Sequence, residues 1–285
     1  MKLCRFKDKQ GAARPGLVRD DQTILDLAAV DIPRLATLLE SPDPLAQLEQ
    51  ALSQNPPPVA VADVQLCAPV EQQEVWAAGV TYLRSKTARM EESNFSATAY
   101  DRVYEAERPE LFFKAMPEKV IAPGQAVGIR RDSHWSVPEP ELALVISSAG
   151  KIVGYTIGND MSSRDIEGEN SLYLPQAKIY AGSCALGPWI TIGPTEREAR
   201  QWNIRLAIRR KGEVVFEGVT SVGKIKRGFE ELVGFLFRSQ LFPNGVVLLT
   251  GTGLVPPDSF TLQAGDEVAM EIDGIGRLHN PVAVV

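Results

Sequence analysis

The sequence predicts a mainly β fold, a sandwich or a barrel, with a small α+β unit in front of it. After residue 61, ten or more strand-like apolar runs follow one another, and only three stretches look helical. Turn-forming pairs such as Lys211-Gly212 and Asn244-Gly245 separate many of these runs. Many short strands with few helices are typical of sandwiches and barrels.

The first 60 residues form the predicted small unit. KLCRF and GLVR are strand-like, whereas IPRLATLLE and PLAQLEQALSQ carry leucines at helical spacing. Three consecutive prolines, Pro56 to Pro58, cannot continue a helix and form a stiff extended link. The chain of 285 residues can hold one large domain and a smaller one. We therefore expect an α+β domain over residues 1–60 and a mainly β domain over residues 61–285.

Three stretches of the second domain are predicted to be helical: 83–106, 162–170 and 225–240. The first of them is long and polar, and it ends shortly before Pro109. It fits a solvated helix with charged faces. It also fits a lid, because long polar insertions in compact domains often cover active sites.

Composition argues against several function classes. The net charge of -6 disfavours a nucleic-acid surface, which needs a basic patch. No apolar run is long enough to span a membrane, and the N-terminus lacks the apolar core of a secretory signal. Three widely spaced cysteines form no CxxC pair, which disfavours a disulfide framework and a zinc ribbon. We therefore expect a cytoplasmic protein with neither nucleic-acid nor membrane partners.

The two histidines, His134 and His279, also restrict the chemistry. No HExxH motif is present, and two histidines leave few ways to build a catalytic triad. Neither a GxGxxG nor a GxxxxGK[ST] loop marks a nucleotide site.

Acidic residues at the ends of two apolar strands are the strongest chemical signal. Glu139 and Glu141 flank Pro140 at the start of PELALVI, and Asp160 ends the run KIVGYTIGND. Alternate strand residues share a face, so the two glutamates point the same way with Cα atoms ~6.6 Å apart. An exposed edge strand is the alternative, but buried carboxylates are costly unless they are paired or bind a metal. Three carboxylates suit Mg2+, Mn2+ or Ca2+ rather than zinc.

Other residues are candidates for chemistry on a substrate. Lys178 lies in a partly apolar stretch of sequence. Its ammonium group either reaches the surface or is functional, in which case it stabilises an enolate or moves a proton. Glu110 opens the strand LFFK directly after the possible lid, although an acid there is usually just a strand end. The loop from Thr250 to Gly253 combines two glycines with two hydroxyls, a composition that suits binding of a substrate carboxylate.

Six segments, taken in order, resemble the fumarylacetoacetate hydrolase superfamily from about residue 70 onward. They are PELFFK, PEPELALVI, GYTIGNDMSSRD, QAKIYAGSCALGP, LLTGTG and AGDEVAMEIDGIGRLHNPV. The resemblance implies a mixed β-roll (sandwich/barrel) catalytic domain that binds Mg2+ or a similar cation through Glu139, Glu141 and Asp160. It implies that Lys178 and Thr252 face a 2-oxo acid or 1,3-diketo acid substrate. It also implies a homo-oligomer, a homodimer or homotetramer.

One departure from the superfamily's pattern points to a particular branch. The C–C hydrolases of the superfamily typically carry Asn-Tyr-x-x-His-x-x-Glu, whose histidine and glutamate activate water. Here Ser85 and Ala88 stand at those two positions, and neither is a competent general base near neutral pH. The segments GVTYLRS and SRDIEGENSLYLPQAK are instead similar to the dehydratase branch, which acts on 2-keto-3-deoxy sugar acids such as 2-keto-3-deoxy-D-arabonate.

The resemblance thus implies a Mg2+-dependent dehydratase that forms a 2-oxo acid semialdehyde through a metal-stabilised enolate. In this interpretation Glu110 is the acid/base and Lys178 acts on the enolate. Arg84 and Ser85 bind distal hydroxyls, and Thr252 binds the carboxylate. Two alternatives remain open. One is a C–C hydrolase or decarboxylase of acylpyruvates or fumarylacetoacetate-type diketo acids, and the other is a non-catalytic protein that binds 2-oxo acids.

Overall fold

The described part of the chain, residues 1–20, 22–82 and 102–285, consists mainly of β-strands in this computed structural model. The prediction of a mainly β, α+β fold is confirmed. The strands are β1 (Lys2–Lys7), β2 (Ala13–Asp20), β3 (Thr23–Asp26), β4 (Pro58–Ala60), β5 (Gln65–Cys67), β6 (Glu74–Gly79), β7 (Glu110–Ala115), β8 (Val127–Ile129), β9 (Ser136–Val137), β10 (Pro140–Ile146), β11 (Ile152–Asp160), β12 (Ser162–Ser163), β13 (Cys184–Thr191), β14 (Asn203–Arg210), β15 (Glu213–Ser221), β16 (Val246–Leu249), β17 (Glu267–Ile272) and β18 (Gly276–Val284).

Short helices connect the strands. They are α1 (Leu35–Leu39), α2 (Pro44–Ser53), α3 (Arg164–Glu169), α4 (Leu174–Lys178), α5 (Glu196–Ala199) and α6 (Phe229–Leu236). Helices α3 and α6 lie within the predicted helical stretches 162–170 and 225–240. Most of the stretch 83–106 lies outside the described residues, so the lid stays a prediction. Within the described ranges, no helix has the length and apolar character needed to cross a membrane.

Two sheets enclose the main core. The larger sheet joins eleven of the described strands in the order β4-β3-β2-β1-β13-β11-β10-β16-β6-β7, with β5 beside β1. The smaller sheet has the order β15-β14-β17-β18-β8. Leu142, Leu144 and Ile157 of the larger sheet share one buried cluster with Leu206 and Met270 of the smaller sheet. The main core therefore lies between the two sheets.

The N-terminal segment packs on the opposite face of the larger sheet. Ala143 and Leu249 share a second core cluster with Leu3 and Leu38. Strand β1 also pairs antiparallel with β13, with Leu3 opposite Ile190. The N-terminal strands thus extend the larger sheet, while the boundary near residue 60 remains a prediction.

The larger sheet curls until its edge strand β7 meets the end of β11. Four strand spacings separate these strands in the sheet order, which corresponds to ~19 Å in a flat sheet. Even so, Lys114 Nζ on β7 lies 2.5 Å from Asp160 Oδ1 on β11. The two side chains are too short to bridge the flat distance. The sheet is therefore rolled, as expected for a β-roll.

Candidate metal centre and active site

Glu139, Glu141 and Asp160 lie where β10 begins and β11 ends. Glu141 is opposite Gly158 in the strand register, and the N–H of Asp160 donates to the carbonyl oxygen of Glu139 at 3.0 Å. Because strand residues alternate between faces, the three carboxylates share one face of the sheet. All three residues are buried, with at most 2% of their surface exposed.

The three carboxylates converge closely enough to share one cation. One oxygen from each lies within 4.8 Å of the others. All three are hard oxygen ligands, which fits Mg2+. Glu141 is also fixed by Gly251, whose N–H donates to Oε2 at 2.6 Å. Burial, followed by the charges of Asp160 and Glu139, raises the pKa of Glu141 well above its usual range, so a bound cation would offset an electrostatic cost.

Lys178 ends helix α4 with its ammonium group between two of the acids. Its Nζ donates to Glu139 Oε2 at 2.8 Å, to Asp160 Oδ2 at 3.0 Å and to Ser162 Oγ at 2.5 Å. The side chain is completely buried, and the centre of the Phe112 ring lies 5.9 Å from Nζ. An ammonium group has three N–H bonds and binds such acceptors well. The structure therefore brings Lys178 to the acids, while its catalytic role stays a prediction.

A second buried lysine at the site, Lys114, was missed from the sequence. Its Nζ contacts Asp160 Oδ1 and donates to the carbonyl oxygens of Met161 at 3.1 Å and Lys178 at 2.5 Å. Lys114 therefore holds both the Asp160 carboxylate and the backbone that carries Lys178. Its signal in the sequence was a lysine within the apolar run LFFKA.

A third buried cation, Arg164, contacts the remaining oxygen of Glu139. Arg164 begins helix α3 and is 2% exposed, and its Nη2 donates to Glu139 Oε1 at 2.6 Å. Its Nε lies 3.9 Å from Glu167 Oε2, which is also buried. Lys114, Lys178 and Arg164 thus surround the acids, which reduces the cost of burying each negative charge.

Glu110 begins β7 with its carboxylate over the backbone of Gly79. The two residues are paired across β6 and β7, and a Cβ on Gly79 would lie 1.9 Å from Glu110 Oε2. The absence of a side chain at residue 79 therefore provides the space that the carboxylate fills. Glu110 and Phe112 are alternate residues of β7 and share a face. The strand register shifts at Lys114, whose Nζ contacts Asp160.

Thr252 lies in the loop after β16, next to the residue that binds Glu141. Its Oγ1 donates to the carbonyl oxygen of Leu254 and accepts from the N–H of Leu254, both at 3.2 Å. Gly251 has a φ of 88°, which glycine adopts without steric cost, and this turn directs its N–H to Glu141. The loop is thus beside the acids, and carboxylate binding by Thr252 stays a prediction.

Two predicted substrate-binding residues, Arg84 and Ser85, lie outside the described residues. Ala88 lies outside them as well. The predicted roles of Arg84 and Ser85, and the argument from Ser85 and Ala88 against a C–C hydrolase, therefore rest on sequence alone.

Known proteins resemble this chain over most of its length. A protein-family model for the fumarylacetoacetate (FAA) hydrolase C-terminal region matches residues 74–283. A probable 2-keto-3-deoxyxylonate dehydratase of Haloferax volcanii is 47% identical over 226 residues, which cover 79% of this chain and 78% of the relative. A 2-dehydro-3-deoxy-D-arabinonate dehydratase of Saccharolobus solfataricus is 43% identical over 225 residues, which cover 78% and 76% of the two chains.

A solved structure extends the likeness to the N-terminal segment. It is a 2-keto-3-deoxy-D-arabinonate dehydratase complexed with magnesium and 2,5-dioxopentanoate. It is 35% identical to this chain and superposes with a TM-score of 0.83, covering 100% of this chain and 99% of the other. The predicted fold class is therefore confirmed.

Proposed function

Because this chain belongs to the fumarylacetoacetate hydrolase family, we propose that it is a Mg2+-dependent dehydratase of a 2-keto-3-deoxy sugar acid. The proposed substrate is 2-keto-3-deoxy-D-arabonate or a similar acid, and the product is a 2-oxo acid semialdehyde. The expectation of an enzyme of the lyase class is confirmed, since the relatives at 47% and 43% identity are dehydratases. The observation that carries the proposal is the convergence of three buried carboxylates with the ammonium group of Lys178.

Glu139, Glu141 and Asp160 are the residues that would hold the metal ion. Their all-oxygen donor set supports Mg2+, with Mn2+ or Ca2+ as alternatives. When bound, a divalent cation supplies Lewis acidity to the 2-oxo group of the substrate. The dehydratase solved with magnesium and 2,5-dioxopentanoate supports the same choice.

Lys178 is proposed to act at C3 of the substrate. As an ammonium group it stabilises the negative charge that develops as the C3 proton leaves, or, as the neutral amine, it takes that proton itself. Its contacts with Glu139 and Asp160 support this role, because they hold Nζ directly beside two candidate metal ligands. Its complete burial strengthens the interaction with an anion relative to water.

Glu110 is proposed as the acid/base that protonates the C4 hydroxyl as it leaves. Loss of the C3 proton and the C4 hydroxyl removes one water and leaves an enone. Two proton shifts, from C5 to C3 and from the C5 hydroxyl to C4, then give the semialdehyde without further change in composition. Arg84 and Ser85 would bind the distal hydroxyls, and Thr252 the carboxylate.

The proposed enzyme is cytoplasmic and forms a homodimer or homotetramer. The cysteines in the structure, Cys4, Cys67 and Cys184, are all free thiols, which supports a reducing compartment. The oligomeric state is inferred from the resemblance to the family.

A product screen in the presence of Mg2+ tests the reaction class. The protein is incubated with 2-keto-3-deoxypentonates, 2-keto-3-deoxyhexonates and acylpyruvates, and the products are identified by mass. We expect a product lighter than the sugar acid by one water. Cleavage of acylpyruvates into two fragments, with no dehydration of any sugar acid, would overturn the proposal.

Variants of the site test the roles of its residues. Glu141→Ala and Asp160→Ala should lose both Mg2+ binding, measured by calorimetry, and turnover. Lys178→Met should fold and lose most of the activity. If both acid variants kept metal binding and turnover, the metal centre would be wrong.

A further inference from the structure

Ser162 is a buried serine whose hydroxyl contacts Lys178. It lies on β12, two residues beyond Asp160, and is 0% exposed. Its Oγ accepts a hydrogen bond from Lys178 Nζ at 2.5 Å and donates one to the carbonyl oxygen of Asp160 at 3.0 Å.

The hydroxyl of Ser162 is oriented by these two contacts. A serine hydroxyl has one hydrogen and two lone pairs. The carbonyl oxygen of Asp160 can only accept, so the hydrogen points toward it. The lone pairs then remain for the ammonium group of Lys178, which can only donate. The backbone at the end of β11 thus holds Ser162 as an acceptor for Lys178.

Ser162 differs in kind from Glu139 and Asp160 as an acceptor for Lys178. Glu139 and Asp160 are candidate metal ligands, and a bound cation would compete with Lys178 for their oxygens. Ser162 is a neutral hydroxyl outside that set of ligands. It can therefore keep its contact with the amine when the carboxylates bind a metal.

We infer that Ser162 is a positioning residue that holds the Lys178 amine at the reacting end of the substrate. The inference rests on the proposed function, in which Lys178 acts at C3. A displacement of about 1 Å at a reacting group can cost a factor of about 100 in rate. The four-carbon stem of a lysine is flexible, so the loss of one fixed contact lets the amine adopt other positions.

Ser162→Ala and Ser163→Ala form a matched pair for the test. Both serines lie on β12 and are 0% exposed, but the Ser163 hydroxyl donates to Asp165 Oδ1 at 3.1 Å. With Mg2+ and 2-keto-3-deoxy-D-arabonate, Ser162→Ala should lower kcat about 10- to 100-fold. KM and the Mg2+ dissociation constant from calorimetry should change less than about threefold, as expected when ground-state binding is kept. Ser163→Ala should keep kcat within about threefold.

A double-mutant cycle with Lys178→Met separates positioning from a general structural role. If Ser162 acts through Lys178, adding Ser162→Ala to Lys178→Met should leave the residual rate unchanged within about twofold. In urea unfolding, the same cycle should show that the effects of the two substitutions on the free energy of unfolding are coupled. These measurements also test whether each variant folds. An unchanged kcat in Ser162→Ala, an equal loss of kcat in Ser163→Ala, or additive effects in both cycles would overturn the inference.

The outcomes also distinguish this inference from the proposed function. Full activity of Lys178→Met would remove Lys178 from the mechanism and end the positioning role, while the dehydratase function would stand. A lack of dehydration by the unaltered protein would end the proposed function itself. An inactive Lys178→Met with a fully active Ser162→Ala would end only the positioning role. Dehydration that depends on both residues, with intact Mg2+ binding, would support both.

Discussion

Gly79 makes it possible to displace the Glu110 carboxylate without altering Glu110. A Cβ on residue 79 would lie 1.9 Å from Glu110 Oε2 and 2.6 Å from its Cδ. Ordinary contact begins at 3.4 Å, so the carboxylate of Gly79→Ala must move by about 1.5 Å (3.4 minus 1.9). The end of a glutamate side chain moves easily, so the strands themselves should stay in place.

Gly79→Ala should lower kcat about 100-fold, because an error of about 1 Å at a catalytic group has a cost of that size. Stability should be kept, since Gly79 is not among the glycines with a left-handed φ. Replacing glycine by alanine in a compatible conformation stabilises a protein by about 0.4–1 kcal/mol through the unfolded chain. Steady-state kinetics and urea unfolding measure the two effects separately.

Gly234→Ala is the matched control for this prediction. Gly234 is exposed on helix α6, and an added Cβ there would meet nothing within 4 Å. This variant should gain stability and keep its full rate. Full activity of Gly79→Ala would refute the acid/base role of Glu110 in its observed position. If Gly79→Ala lost stability as well as rate, more than the Glu110 carboxylate would have moved. That result would also contradict the prediction.

Three further predictions concern the charges of the site. The pKa of Glu141 is raised in the folded state, so its contribution to stability is present below the unfolded pKa and is lost as the pH rises. The metal-free protein should therefore become less stable above about pH 4.5. Urea unfolding at several pH values should show a smaller loss in Glu141→Gln. Lys114→Met should lower the free energy of unfolding by about 3–5 kcal/mol, because Asp160 Oδ1 loses its buried partner and only Lys178 remains at the other oxygen. The same change at the exposed Lys151 should have an effect within about 0.5 kcal/mol. Mg2+ at 100 times its dissociation constant should stabilise the protein by about 2.7 kcal/mol, an increment that Asp160→Ala should abolish. A pH-independent stability, equal effects of the two lysines, or a Mg2+ increment that survives in Asp160→Ala would contradict the respective prediction.

The three acids could be recognised from the sequence because short-range rules were sufficient. Glu139 and Glu141 are two residues apart on a strand, so alternation alone places them on one face. Asp160 required only that two consecutive strands pair with each other, which is the common arrangement. Their burial could be predicted from the apolar residues of both strands.

Lys114 could not be assigned in the same way, because its contact depends on the roll of the larger sheet. It meets Asp160 across four strand spacings, and no local pattern specifies that curvature. The start of helix α3 also required tertiary information. Ser162 and Ser163 pair with β9, so the helix predicted from residue 162 begins at Arg164. Pairing with a distant strand overrode the local preference there.

The N-terminal strands have a consequence for any shortened form of the protein. Strand β1 covers one edge of β13, with Lys2 opposite Thr191 and Leu3 opposite Ile190. A fragment that began at residue 74, where the family model begins, would leave the backbone of β13 unpaired beside the apolar side chain of Ile190. Open apolar edges of this kind recruit strands from other molecules. The segment before residue 74 thus pairs with an edge of the larger sheet that a shortened chain would leave open.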